Sequence, residues 1–144
     1  MEKYLENYQR WLNSSKLTTE EKAELEAIKN DDNEIKSRFI SNLSFGTAGL
    51  RGTMKLGTNA MNIYTVAQAT QGFAALISKS GRNNDGVAIA YDCRNNSELF
   101  AKVAAEVLAA SDIKVYIFDN LRPTPELSFA LRYLKCVAGI NITA

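Results

Sequence analysis

Histidine is missing from all 144 positions. That removes Ser-His-Asp triads, Cys-His dyads, imidazole bases and histidine metal ligands from the chemistry open to this chain. Cysteine is scarce: Cys93 and Cys136 stand 43 positions apart with no C-x-x-C spacing. A zinc site or redox pair is therefore not expected, and both read as small reduced core residues. Net charge is close to nil, with 17 Lys+Arg against 16 Asp+Glu. A nucleic-acid binder or a polybasic membrane protein would carry a basic excess, so a small polar ligand fits better. No apolar run approaches the ~18 residues of a membrane span. The start, MEKYLENYQR, lacks a basic-then-apolar signal pattern, so a cytosolic protein is expected. The length suits one domain with a core that needs no disulfides.

Glycine, by contrast, is concentrated. Three of the eight glycines surround one arginine in FGTAGLRG, residues 45 to 52. Glycine accepts positive φ and lets backbone approach a ligand, while an arginine fork matches phosphate oxygens in charge and geometry. The stretch reads as a tight turn, either a plain hairpin or one facing a phosphate, and Arg51 is the first candidate phosphate ligand. Thr47 is expected to close its own turn through its hydroxyl or to hydrogen-bond nearby.

The chain divides near residue 44. Before it, Tyr4, Tyr8, Trp11 and Leu12 fall at helical spacing. Thr18 and Glu21 form a capping box ahead of Leu25 and Ile28, and a third short helix carries Ile35, Phe39 and Ile40. Residues 1–44 thus read as a helical extension packed on the following domain. Exposed aromatics at Tyr4, Tyr8 and Trp11 would instead suit an interaction module.

After residue 62 helix and strand alternate. Ile63, Val66, Ala67, Thr70, Phe73, Ala74 and Ile77 mark one helical face, with Asn62 as cap and Gly81 as terminator. Gly72 inside this helix points to close packing. Val87–Tyr91 is an apolar strand ending at Asp92. A second helix starts near Ser97 and turns Phe100, Val103, Ala104, Val107 and Leu108 inward. Ile113–Phe118 is the next strand. Thr124 is expected as the N-cap and Pro125 as the first residue of a third helix carrying Leu127, Ala130, Leu131 and Leu134. Val137–Ile142 is the last strand. Such apolar strands between helices predict an α/β fold: an open, mostly parallel sheet sandwiched by helices, with right-handed crossovers. Ligands gather beyond the carboxyl ends of such strands, here Asp92 to Ser97, Asn120 to Thr124, and beyond Thr143.

Five motifs in order carry a family resemblance: FGTAGLRG at 45–52, MNIYTVAQATQGFA at 61–74, YDCRNNS at 91–97, RPTPELSFA at 122–130 and GINITA at 139–144. The chain resembles the first domain of the α-D-phosphohexomutases, and looks most like the phosphoglucomutase branch with phosphopentomutase-like members that carry a helical preface. Residues 45–144 would be domain I. In the family the last motif runs from Thr-Ala into a phosphoserine loop, so the resemblance implies a chain ending just before that serine. It implies an enzyme that interconverts hexose 1-phosphate and hexose 6-phosphate by phosphoserine-mediated intramolecular transfer, through a hexose 1,6-bisphosphate intermediate. Mg2+ and the sugar contacts would be held by further domains, and the fragment itself is expected to be inactive. A phosphomannomutase or phosphopentomutase fragment, or a non-catalytic phosphosugar-binding domain, remain the alternatives. Arg51 matches the family's active-site arginine and is expected to face the serine loop. Asp92 and Arg94 match a D-x-R-x-x-S segment and are expected to fix a turn and cap a helix, or to orient the active loop. Arg122, before the PTP segment, could reach a phosphate, though one arginine at a strand end is a weak sign. Asn141, Ile142 and Thr143 deliver the chain to the loop.

Overall fold

The computed structural model describes residues 2–143. Ala144, where the last motif ends, lies outside the described residues. Compactness divides the chain into two units, Met1–Thr65 and Val66–Ala144.

The first unit begins with three helices, α1 (Lys3–Leu12), α2 (Thr19–Ala27) and α3 (Asp32–Phe39). The expected capping box is present: Glu21 N–H donates to the Thr18 hydroxyl at 3.2 Å, and Thr18 N–H to the Glu21 carboxylate at 2.9 Å. Asp31 caps α3 through Glu34 N–H at 3.0 Å. Tyr4, Tyr8, Leu25, Ile35 and Phe39 are buried together with Leu17 and Leu56. Tyr8 and Trp11 both meet the Phe39 ring edge-on, at 5.6 and 5.8 Å. Tyr4 and Tyr8 therefore lie in the core of this unit, with Trp11 half-buried against it, and the two tyrosines are not exposed as the interaction reading had them. Ile40, expected beside Phe39, is exposed because α3 ends at Phe39. A hairpin follows, β1 (Phe45–Gly46) paired antiparallel with β2 (Gly49–Leu50).

The second unit takes most of α4 (Ile63–Lys79), then β3 (Val87–Tyr91), α5 (Ser97–Ala110), β4 (Val115–Ile117), α6 (Thr124–Tyr133) and β5 (Ala138–Ile142). The strands form a parallel sheet in the order β4-β3-β5. All of β3 is buried, and its alternation separates two layers. Val87, Ile89 and Tyr91 pack with Ala74 and Ile77 of α4 and Ala101, Ala104 and Leu108 of α5. Ala88 and Ala90 pack with Leu127 of α6. This is the expected sandwich: apolar side chains on both faces of a parallel strand require a helix on each side.

Four local expectations are corrected. The helix α6 starts one residue early, with Pro123 (φ −72, ψ 154) as N-cap and Pro125 second inside it. The ring of Pro123 already sets the extended entry, and the Thr124 hydroxyl accepts instead from Asn141 Nδ2 at 2.8 Å. The strand β4 is shorter than Ile113–Phe118, because Ile113 N–H bonds back to Leu108 C=O and its side chain fills the core. Gly72 is exposed and a Cβ there would meet nothing within 4 Å, so it marks no close packing. Cys93 is exposed rather than a core residue, since it sits in the turn after β3; both cysteines are free thiols.

Candidate functional site

The glycine-rich stretch folds as a hairpin whose two-residue turn is Thr47-Ala48. Positive φ is needed only at Gly49, φ 106, where the turn closes. Gly52 is small for a different reason: a Cβ there would sit 3.0 Å from Leu43 Cδ1 and 3.3 Å from Met61 N. Between these glycines Arg51 leaves the hairpin with an exposed side chain. Among the described residues of its own unit no carboxylate pairs with it. An exposed guanidinium on a backbone set between a paired Leu50 and a closely packed Gly52 is suited to a phosphate or carboxylate ligand, which it can engage in a two-pronged bond. The Thr47 hydroxyl makes neither of its expected bonds among the described residues, because the backbone pairing already closes the turn.

In the second unit the chemistry gathers at the carboxyl ends of the strands. Asp92 follows β3 and its carboxylate draws three segments together. Oδ1 accepts from Ser97 Oγ at 2.7 Å and from Arg94 N–H at 3.0 Å, and Oδ2 accepts from the Thr143 hydroxyl at 2.8 Å. Arg94 Nε lies 3.3 Å from Oδ2, and Asp92 N–H donates to Ile142 C=O at 3.1 Å. Desolvation disfavours the charged carboxyl, but the bonds from Ser97, Arg94 and Thr143 and the charge of Arg94 outweigh it and hold its pKa below the usual carboxylate range. A carboxylate so occupied is a weak proton acceptor. What it does is tie the end of β5 to the start of α5, which enters through Asn96 in a left-handed conformation (φ 64).

Arg122 is engaged elsewhere. Its Nε lies 3.1 Å from Glu126 Oε2 and its Nη1 donates to Leu121 C=O at 3.0 Å. The expectation that it reaches a phosphate gains no support from this arrangement. A groove of about 460 Å³ lies between β4 and α6, lined mainly by Tyr116, Ile117, Phe118, Phe129 and Tyr133. Its walls are apolar, and it has little to offer a phosphate.

Among the described residues no three Cys, Asp or Glu side chains cluster so as to hold a metal ion. The described residues do not fit the magnesium implied by the resemblance. None of the described helices is long and apolar enough to cross a membrane. The sequence reading missed two ties that matter here, Asn141 to Thr124 and the ion cluster around Arg38. The one signal for the latter was the i,i+4 spacing of Glu34 and Arg38.

Residues 42–144 match the family described as phosphoglucomutase/phosphomannomutase, alpha/beta/alpha domain I. The chain is similar to a phosphoglucomutase of Staphylococcus epidermidis, 49% identical over 102 residues that cover 71% of this chain and 18% of that protein. A phosphoglucomutase of Staphylococcus haemolyticus is 43% identical over 106 residues, 74% of this chain and 19% of that one. One from Staphylococcus aureus is 44% identical over 113 residues, 78% and 20% respectively. The chain thus spans about a fifth of the length of the curated relatives it matches. No solved structure matches it. With a parallel sheet between helices, the five ordered motifs and a family match over most of its length, the chain belongs to the phosphoglucomutase/phosphomannomutase family, of which residues 42–144 form the alpha/beta/alpha domain I.

Proposed function

We propose that this chain supplies the first domain of a phosphoglucomutase-type enzyme interconverting hexose 1-phosphate and hexose 6-phosphate, and that Arg51 is a phosphate ligand in it. Residues 1–44 are on this reading a helical extension and 45–144 the working domain. Glucose 1-phosphate is taken as substrate, ahead of mannose and pentose phosphates, because the relatives above bear the name phosphoglucomutase. A phosphoserine, the hexose 1,6-bisphosphate intermediate, the remaining domains and a cytosolic setting belong to the same proposal.

The observation that carries it is the exposed Arg51 guanidinium, without a carboxylate partner in its unit, at the end of a glycine hairpin. Charge spreads over the oxygens of a migrating phosphoryl group, and a donor fixed in advance stabilises that charge with little reorganisation. Magnesium would supply further neutralisation in the parent enzyme; the described residues do not fit it, and no step is assigned to it here.

Removing one preorganised donor of this kind costs about 2.7–4 kcal/mol in the transition state, or roughly 10²–10³ in kcat. Arg51→Ala in the full-length enzyme is expected to lose that much kcat/KM, measured as glucose 1-phosphate turnover. A value within a few fold of the unsubstituted enzyme would remove Arg51 from the mechanism. The 144 residues assayed by themselves are expected to show no isomerisation, and turnover free of host enzyme would overturn that.

A further inference from the structure

Arg38 lies in α3, before the residues that match domain I. Its side chain is only 9% exposed, and a guanidinium is withdrawn from water at great cost unless it is paired. Its two carboxylate partners come from α2 and from its own helix. Nη1 donates to Glu24 of α2, and Nε donates to Glu34 Oε1 at 2.9 Å. Lys55, from the segment after the hairpin, donates to the same Glu34 oxygen at 2.7 Å. These cations hold the Glu34 carboxyl below its usual pKa.

The backbone of α3 grips the same segment. Asn59 N–H donates to Arg38 C=O at 2.9 Å, and Asn59 Nδ2 to Ser37 C=O at 3.2 Å. At Gly57 (φ +140) a Cβ would lie 2.6 Å from Arg38 O, so the loop can lie on the helix only with glycine there. Asn62 closes the loop from inside, its Nδ2 donating to the carbonyls of Lys55 and Gly57 at 2.9 Å each. From this loop the contacts run back towards the hairpin. Leu43 N–H donates to Thr58 C=O at 2.7 Å, Met61 N–H to Thr53 C=O at 2.8 Å, and Met54 bridges Met61.

We propose that Arg38 is a positioning residue for the Arg51 turn: with Glu24, Glu34 and Lys55 it clamps residues 55–59 onto the helical extension, and that loop fixes residues 52–54 beside Arg51. The extension is then the strut that aims the phosphate-binding guanidinium. This rests on the reading of Arg51 given above.

The test uses the whole chain with inorganic phosphate as probe. Hydrogen exchange is measured residue by residue, and phosphate affinity by NMR titration, in Arg38→Met, Arg38→Lys, Arg51→Ala and the Arg38→Met/Arg51→Ala pair. In Arg38→Met, exchange at Leu43, Asn59, Met61 and the hairpin amides is expected to rise at least tenfold, with β3 amides within twofold. Phosphate affinity is expected to fall at least fivefold although Arg51 is intact, with partial recovery in Arg38→Lys. The double substitution is expected to bind no more weakly than Arg51→Ala, the non-additivity of residues acting through one group. Should Arg38→Met not fold, Glu24→Gln is read in its place. Unchanged hairpin exchange, or unchanged affinity where Arg51→Ala abolishes binding, overturns the positioning role. If Arg51→Ala leaves phosphate binding as it was, the reading of Arg51 fails, and the exchange data alone decide whether Arg38 holds the turn.

Discussion

In the first unit the largest fully buried side chains are Phe39 and Leu25, ringed by tyrosines, a tryptophan and a nine-tenths-buried arginine; in the second they are Ile89, Leu108 and Val87, walled by alanines. The second unit is registered by its backbone, since β3 is paired on both edges and the helices need only cover it. Three short helices have no such ladder. Their register is set by side chains with a polar end: Tyr8 OH donates to Leu25 C=O at 2.9 Å, Tyr4 OH to Asp32 at 2.7 Å, and Tyr64 OH to Glu21 at 2.8 Å. A layered core of aliphatic residues depends on volume, whereas a helical cluster of this kind depends on individual bonds.

The largest expected effect is at Phe39. Phe39→Ala removes a fully buried ring and both edge-on contacts, and is expected to cost about 3–5 kcal/mol, against about 2–5 kcal/mol for Leu108→Ala in the second unit. Urea denaturation of the two variants checks the order. A Phe39→Ala loss below about 1 kcal/mol would mean that the aromatic cluster is not what holds the helices.

The units should also differ in how they respond to alkali, although each holds a lowered carboxyl, Glu34 in the first and Asp92 in the second. The bond to Asp32, aided by burial and neighbouring negative charge, pushes Tyr4 up to about 12; burial, aided by Glu21, does the same to Tyr64. A raised pKa in the folded state means that the neutral form is favoured there. Their stabilising contribution is therefore complete below the ordinary tyrosine value near ~10 and is lost as pH rises through about 12. Asp92 in the second unit is lowered, so its contribution is complete above the ordinary carboxylate value near ~4 and is lost as pH falls through the lower folded value. Ultraviolet titration of tyrosinate is expected to show a late step that Tyr64→Phe diminishes. Acid unfolding is expected to shift in Asp92→Asn, and an unaltered acid limb would deny Asp92 its tie to Thr143.

The smallest effect has the opposite sign. Gly72 is exposed in α4 with open space where a Cβ would go, so Gly72→Ala is expected to stabilise by about 1 kcal/mol, read as a raised Tm. A loss of stability would mean that the glycine serves a contact other than those of the fold described.

Much of the second unit was legible in residue order. Its helical faces and its three strands follow from periodicities of two and 3.6, and the glycine hairpin with Arg51 in the first unit from the φ demands of glycine, all local properties of the chain. The turn at Asp92 was legible for the same reason, since a carboxylate two and five residues ahead of its donors bonds at short range. What folding in three dimensions alone decided is who meets whom over long separations. Thr143 reaches Asp92 across 51 positions, Asn141 takes the Thr124 hydroxyl that local pattern had assigned to a helix cap, and Arg38 is buried only because Glu24 converges on it from another helix while Lys55 shares Glu34 with it. Hydrophobic pattern records which face of an element is buried. Whether a charge can be buried depends on the exact partners that packing brings to it, and those are not encoded in any window of neighbouring residues.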